Sequence, residues 1–243
     1  MWFQFSRQVR NRSARPSWSY GEFPRRMKIV GLAAIVTVFG VIGAGTTYSP
    51  AAERAINIVA FGDSLTAGYG LPANEAFPAQ LQRALDAKGL AVKVVNAGVS
   101  GDTAAGGLSR LDWSVPDGTD AVILELGAND ALRGFDPEIT RKALDTMLRR
   151  LKERKISVLL CGMVAPPNLG AEYGRAFNSI FPDLAAETGA ILYPFFLSGV
   201  ATDPKLNQRD GLHPTAAGVA VIVDRILPQV EHLIARAKAS HAP

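Results

Sequence analysis

Ser64 lies in the stretch FGDSLTAGYG, Phe61 to Gly70, which follows directly on the apolar run INIVA. A serine there has two uses. It can cap the helix that follows, as Ser and Asp commonly do, or it can carry a nucleophilic hydroxyl beside a backbone N–H that meets an oxyanion. Two familiar motifs are excluded: Thr66 stands where the G-x-S-x-G elbow needs its second glycine, and no Gly-Lys-Ser/Thr ending makes a phosphate-binding loop. A nucleophilic serine needs a base, and the chain has 3 histidines. His241 lies in the terminal KASHAP and His232 in the helical VEHLIARA, whereas His213 lies in DGLHPTAAG between Asp210 and Pro214. On such a turn Asp210 can hold Nδ1 of the imidazole and leave Nε2 for a hydroxyl. The same residues also fit a turn in which Asp210 caps the last helix and His213 packs beside it. Under the first reading the chemistry is acyl transfer, which needs donors at the developing oxyanion, each worth about 3 kcal/mol. Asn129 in GANDALRG offers a side-chain N–H, and Gly101 in GVSGDT a main-chain N–H with no Cβ in the way. Asn and Gly, Gly98 included, are also ordinary turn residues.

The elements between these residues must bring them together. The runs INIVAF (56–61), VKVVNA (92–97), DAVILEL (120–126), ISVLLCG (156–162) and AILYP (190–194) predict five strands. They are nearly continuous in apolar residues, as strands buried on both faces are. Helices are predicted near 75–88, 103–111, 137–154, 171–188 and from 214 to about 238, with Pro137 opening one and the glycines of DAKGL and ETGA closing others. This alternation predicts an α/β fold, a three-layer α/β/α sandwich with a five-stranded parallel sheet and right-handed crossovers. The common flavodoxin-like strand order is 2-1-3-4-5, with ligands bound outside the carboxyl ends where the order reverses. GDSLTAG, GVSGDT and GANDALRG should therefore converge on one crevice. VAPPNLGAEYG (164–174) follows the fourth strand and should line it too. Ala131 and Leu132 beside Asn129, with Pro167, Leu169 and Tyr173, are the candidate substrate-binding residues, an apolar wall suited to acyl or aryl groups. The aperiodic connection over 195–212 has the length of a functional loop.

A length of 243 residues, 48% hydrophobic and 20% charged, suits one domain plus a tail. The net charge is +4, but residues 1–52 hold seven Lys or Arg against Glu22, so the remainder is mildly acidic and gives no case for nucleic acid. RRMK precedes the apolar run over 29–45, and small residues Ser49, Ala51 and Ala52 follow, the order of a secretory signal. Residues 1–52 are therefore expected to be a basic leader plus signal peptide or membrane anchor, and 53–243 one folded domain. Export to the periplasm, with cleavage after Ala51, is one reading. The other is an inner-membrane anchor through 29–45, a run of about 26 Å at the short end of the spanning range. Membrane contact is expected only through this segment, and Met27 is a candidate start. The single Cys161 excludes an intrachain disulfide and reads as a buried thiol. No spacing of Cys, His, Asp and Glu suggests a metal site, and no cofactor is expected.

Four blocks, FGDSLTAGYGL, VVNAGVSGDTAAGGLSRL, LELGANDALRGF and DGLHPTAAG, occur in that order over residues 61–218. Together they resemble the SGNH/GDSL hydrolase family, with a nearer likeness to its exported bacterial subgroup of acyl-CoA thioesterases, lysophospholipases and arylesterases. The resemblance implies the SGNH hydrolase fold, with Ser64 as nucleophile, Asp210 and His213 as acid and base, and an oxyanion hole of Ser64, Gly101 and Asn129. It also implies a serine hydrolase of carboxylic esters and thioesters (aryl esters, acyl-CoA, lysophospholipids) that works through an acyl-enzyme. A carbohydrate O-deacetylase of the same fold and a non-catalytic, membrane-tethered binding module remain as alternatives. The basic leader is longer than such proteins need.

Overall fold

The five apolar runs form one parallel sheet: β1 (Ile56–Gly62), β2 (Val92–Gly98), β3 (Ala121–Glu125), β4 (Ser157–Cys161) and β5 (Ile191–Tyr193), in the order β2-β1-β3-β4-β5. The computed structural model describes residues 54–240, so the leader, the apolar run over 29–45 and His241 lie outside the described residues. The register matters most at one point. Gly62 pairs with Gly98 on one side and with Glu125 on the other, so β1, β2 and β3 end level and release their next segments at the same edge.

Apolar side chains on both faces hold β1, β3 and β4 at the centre, where Ile58, Phe61, Val122, Leu124, Leu159 and Leu160 are all buried. β2 stands at the sheet edge, as the order 2-1-3-4-5 requires, but it departs from the expectation of burial on both faces: Lys93, Val95 and Asn96 are exposed. The longer helices are α2 (Phe77–Ala87), α3 (Ala104–Ser114), α5 (Pro137–Glu153), α6 (Ala171–Asn178), α7 (Ile180–Thr188) and α8 (Ala216–Ser240). α2 packs on α8, while α3 and α7 pack on α5, completing the three layers. Helical spacing explains which faces turn inward: α2 buries Phe77, Leu81 and Leu85, and α8 buries Val219, Ile222, Val223, Ile226, Val230 and Leu233. Each such side chain contributes about 1.5–3 kcal/mol of burial.

One helix predicted over 171–188 is two, with Ser179 between them. Pro182 is the cause: it has no N–H for the carbonyl of Asn178, and its ring would clash there. Asn178 instead turns its side chain to accept the N–H of Ala165 at 2.8 Å. Two short helices that periodicity could not reveal, α1 (Ser64–Ala67) and α4 (Ala128–Leu132), each follow closely on a strand and carry site residues. The long connection before α8 is folded on itself. Phe196 and Val200 are buried, and buried Asn207 donates to the carbonyls of Val200 at 2.6 Å and Asp203 at 2.8 Å.

Gly98 marks where β2 runs hard against α1: a Cβ there would overlap the backbone N of Ala67 and lie 2.8 Å from the carbonyl carbon of Thr66. Gly98→Ala is expected to lower stability by about 1–3 kcal/mol, the usual cost of overpacking against atoms that cannot turn away. Denaturant titration should show a lower midpoint at unchanged slope. An unshifted midpoint would mean that β2 and α1 are free to separate.

Candidate active site

β1 ends at Gly62, and the next residue, Asp63, caps α1: its Oδ1 accepts the N–H of Leu65 at 3.0 Å. Capping is thus done by Asp63, and Ser64, the first residue of α1, is left with its hydroxyl 2.9 Å from Nε2 of His213. Nδ1 of His213 lies 2.6 Å from Oδ2 of Asp210. Asp210 does not cap α8, where Thr215 Oγ1 accepts the N–H of Gly218 at 3.2 Å. Its Oδ1 accepts the N–H groups of Leu212 and His213 at 2.9 and 3.0 Å. The His213 N–H, then the His213 ring and the Leu212 N–H, hold this carboxyl down at about 2. An ionised Asp210 keeps the proton of neutral His213 on Nδ1 and turns the Nε2 lone pair toward Ser64.

A second set of contacts keeps the two loops together. Gln208 Nε2 donates to the carbonyls of Tyr69 at 2.8 Å and Pro214 at 3.0 Å, and its own N–H donates to the carbonyl of His213 at 2.7 Å. The Tyr69 ring leans over the imidazole, with centroids 4.5 Å apart.

Asn129 lies in α4, and its Nδ2 donates to Oδ2 of Asp63 at 3.0 Å. One amide N–H is thereby fixed, and the other is available to a ligand. The adjacent Asp130 is buried, accepting from the N–H of Ala104 at 2.9 Å and Thr140 Oγ1 at 3.0 Å, which ties α4 to α3 and α5. Gly101 has φ of 85°, and a Cβ there would have Arg133 Nη2 as its nearest neighbour at 3.7 Å. Gly101 therefore borders open space, unlike Gly98. Its loop is held by buried Arg110, which donates to the carbonyls of Gly62 and Ala97 at 2.8 Å each and to Asp102 at 2.5 Å, with its guanidinium 4.1 Å above the Phe61 ring.

The residues expected to form an apolar wall fall in three settings. Ala131 is buried in the core, whereas Leu132 is exposed. Pro167 and Leu169 form a short 3-10 turn. Tyr173 donates its hydroxyl to the carbonyl of Phe135 at 2.8 Å and stacks on Phe177, joining the segment after β4 to the one after β3. Cys161 is buried, and burial pushes its thiol well above the usual range. No cluster of metal-ligating side chains occurs among the described residues.

Sequence reasoning passed over Asp63, Arg110, Gln208 and Glu125. Two of them carried a signal. Glu125 is a lone acid in AVILEL, and Arg110 a lone cation amid the small and apolar residues of AAGGLSRL. Asp63 offers only the general cap signal of an Asp at the head of a helix, and nothing local marks Gln208.

The family described as GDSL-like Lipase/Acylhydrolase matches residues 60–221. An arylesterase of Vibrio mimicus is 38% identical over 187 residues, covering 76% of this chain and 94% of the relative. A thioesterase 1/protease 1/lysophospholipase L1 of Escherichia coli is 38% identical over 184 residues, covering 75% and 87%. Among solved structures, AlinE4, an SGNH-hydrolase family esterase, superposes with a TM-score of 0.63 at 48% identity, covering 74% of this chain and 96% of that one.

Asp63 generates a pH test. Burial raises its carboxyl from the ordinary 3.8 to about 6. The native state then takes up a proton in a range where the unfolded chain does not, so this group adds stability as pH falls from 7 toward 5. Relative to Asp63→Asn, the parent should gain about 1 kcal/mol over that interval by denaturant titration. Asp210 does not interfere, because its contribution is lost only as pH falls from the ordinary 3.8 through about 2. A difference independent of pH would mean that Asp63 does not titrate there.

Proposed function

The chain belongs to the GDSL-like Lipase/Acylhydrolase family, and on that premise we propose that it hydrolyses carboxylic esters and thioesters by two-step acyl transfer on Ser64. The observation that carries this reading is the unbroken relay of Asp210, His213 and Ser64, at 2.6 and 2.9 Å. Ser64 Oγ attacks the substrate carbonyl carbon while Nε2 of His213 takes its proton. Asp210 holds the imidazole and stabilises its charged form. The carbonyl oxygen, now negative, is met by the N–H groups of Ser64 and Gly101 and the free amide N–H of Asn129. Collapse expels the alcohol or thiol, which receives the proton from His213 and leaves an ester on Ser64. Water, deprotonated by the same nitrogen, then releases the acid.

Several exposed apolar side chains on the segments that carry the site favour acyl or aryl substrates over bare sugars: Tyr69 is 54% exposed, Leu132 50% and Leu212 47%. The relatives named arylesterase and thioesterase/lysophospholipase support the same breadth, with lysophospholipids as the finer possibility for this chain. The basic and apolar leader supports action after export, in the periplasm.

A fluorophosphonate should label the parent on Ser64 and leave Ser64→Ala unlabelled. Turnover of nitrophenyl esters by Ser64→Ala should fall by roughly a thousandfold or more, with Ser64→Ala and His213→Ala together costing little beyond either alone. Residual turnover within about tenfold of the parent would remove Ser64 from the chemistry. Esters from acetate to palmitate and acyl-CoA thioesters, assayed in parallel, should show turnover beyond acetate. Activity confined to acetylated glycans would identify a deacetylase instead, and parent protein that neither labels nor turns over would be a binding module.

A further inference from the structure

Behind the nucleophile turn lies a carboxyl group that acyl transfer does not use. Glu125 closes β3, in register with Gly62 of β1 and Cys161 of β4, and is fully buried. Its Oε2 accepts the hydroxyl of Thr66 at 2.7 Å and the N–H of Asp63 at 3.3 Å, and the N–H of Thr66 also faces the carboxyl. Its Oε1 is buried with no partner among the described residues. Titratable groups face this carboxyl from the elements around it: Asp63 from the turn between β1 and α1, and Cys161 from β4, with Tyr193 of β5 beyond. His213 and Asp102 act on Asp63 in turn. The nearby buried cation, Arg110, is committed to Asp102, Ser114 and the carbonyls of Gly62 and Ala97.

These contacts discriminate between two forms of Glu125. An ionised oxygen buried without a donor is far more costly than a hydroxyl buried without an acceptor. A second buried carboxylate nearby adds to that cost. In the neutral acid, Oε2 is the carbonyl-type oxygen that receives both donors, and Oε1 carries the hydrogen. Asp63 is placed differently, because each of its oxygens already accepts an N–H, from Leu65 and from Asn129.

We propose that Glu125 is a protonated, neutral carboxylic acid in the working protein, and that it serves as a positioning residue for the turn bearing Ser64. The neutral form grips Thr66 and the N–H of Asp63 from below. It leaves the negative charge on Asp63, where that charge orients Asn129, and keeps a further negative charge from lying behind an oxyanion hole. Burial pushes the Glu125 carboxyl well above the usual range, and the charge of Asp63 pushes it further. The catalytic consequence rests on the acyl-transfer reading, whereas the protonation state does not.

Infrared spectra of the full chain at pH 8, in H2O and D2O, test the protonation state directly, because Asp63, at about 6, is ionised there. The parent should show the deuterium-sensitive C=O band of a buried carboxylic acid, and Glu125→Gln should lack it. A parent spectrum without that band, or one unchanged by Glu125→Gln, overturns the proposal. Kinetics on nitrophenyl esters test the positioning role. Glu125→Gln, which matches the neutral acid in shape, should keep kcat within about threefold of the parent. Glu125→Leu should lose about tenfold or more in kcat with KM little changed. A Glu125→Gln variant that unfolds at the parent temperature yet is as slow as Glu125→Leu also overturns it. Should Glu125→Leu fail to fold, the band and the Glu125→Gln rate decide. Should Ser64 prove unreactive to fluorophosphonate, the band would persist, so failure of the hydrolase reading is distinguishable from failure of this one.

Discussion

A hydroxyl and an imidazole separated by 149 positions in the chain stand 2.9 Å apart, and much of the intervening structure serves that contact. One hydrogen bond of this kind contributes about 0.5–1.5 kcal/mol net, far too little to order the loop that carries His213. Burial orders it instead. Phe196 and Val200 anchor the start of the loop in the core, Asn207 closes it on itself, and Gln208 ties its end to Tyr69 just past α1. The Ser64–His213 contact is therefore a result of the fold. A preformed arrangement of that sort does not have to be assembled when substrate arrives.

The same site assigns its carboxyl groups by environment. Asp210 lies near solvent, where donated N–H groups and the imidazole favour its charge and hold it at about 2. Asp63 and Glu125 lie inside, where loss of water disfavours charge and raises both. Three acids thus stand within reach of one turn with different tasks: one steadies the base, one aims an amide, and one is neutral. Separating the ionisation of neighbouring acids in this way is how a single site keeps fixed charges where they help and removes them where they would oppose the reaction.

Much of this was legible in the amino-acid sequence, for definite reasons. The central strands announced themselves because both faces are buried, and the contacts of Asp210, His213 and Ser64 because histidine is scarce and DGLHP forms a turn with a carboxylate at hand. β2 misled only in its burial: VKVVNA is apolar enough to pass for a strand covered on both faces, although the expected order already set it at the sheet edge, where one flank stays open. The break at Ser179 was written in Pro182 but outweighed by the apolar residues on both sides. α1 and α4, at 4 and 5 residues, span little more than one helical turn, too short for an apolar period to repeat. Arg110 and Glu125 stand out locally as lone charges, but their contacts, like those of Gln208, stayed hidden because the partners lie on other segments that local spacing does not name.

Gly98 and Gly101 show how far residue type falls short of role. Both are glycines of one short segment, Gly101 a candidate donor to the oxyanion and Gly98 a turn residue, and the difference lies in what surrounds them. At Gly98 the absent side chain lets the end of β2 press against the backbone of α1, and at Gly101 it accompanies a φ of 85° beside open space. The two are connected. Because β2 approaches α1 so closely, the loop that begins at Val99 stays alongside the turn of Ser64, and Val99 donates its N–H to the carbonyl of Gly62 at 3.0 Å. Arg110 grips that same carbonyl and Asp102, so Gly101 is pinned from both sides of its loop. A donor to a transient charge, the role proposed for Gly101, must be held by something permanent, and here close backbone contact and one buried guanidinium hold its loop.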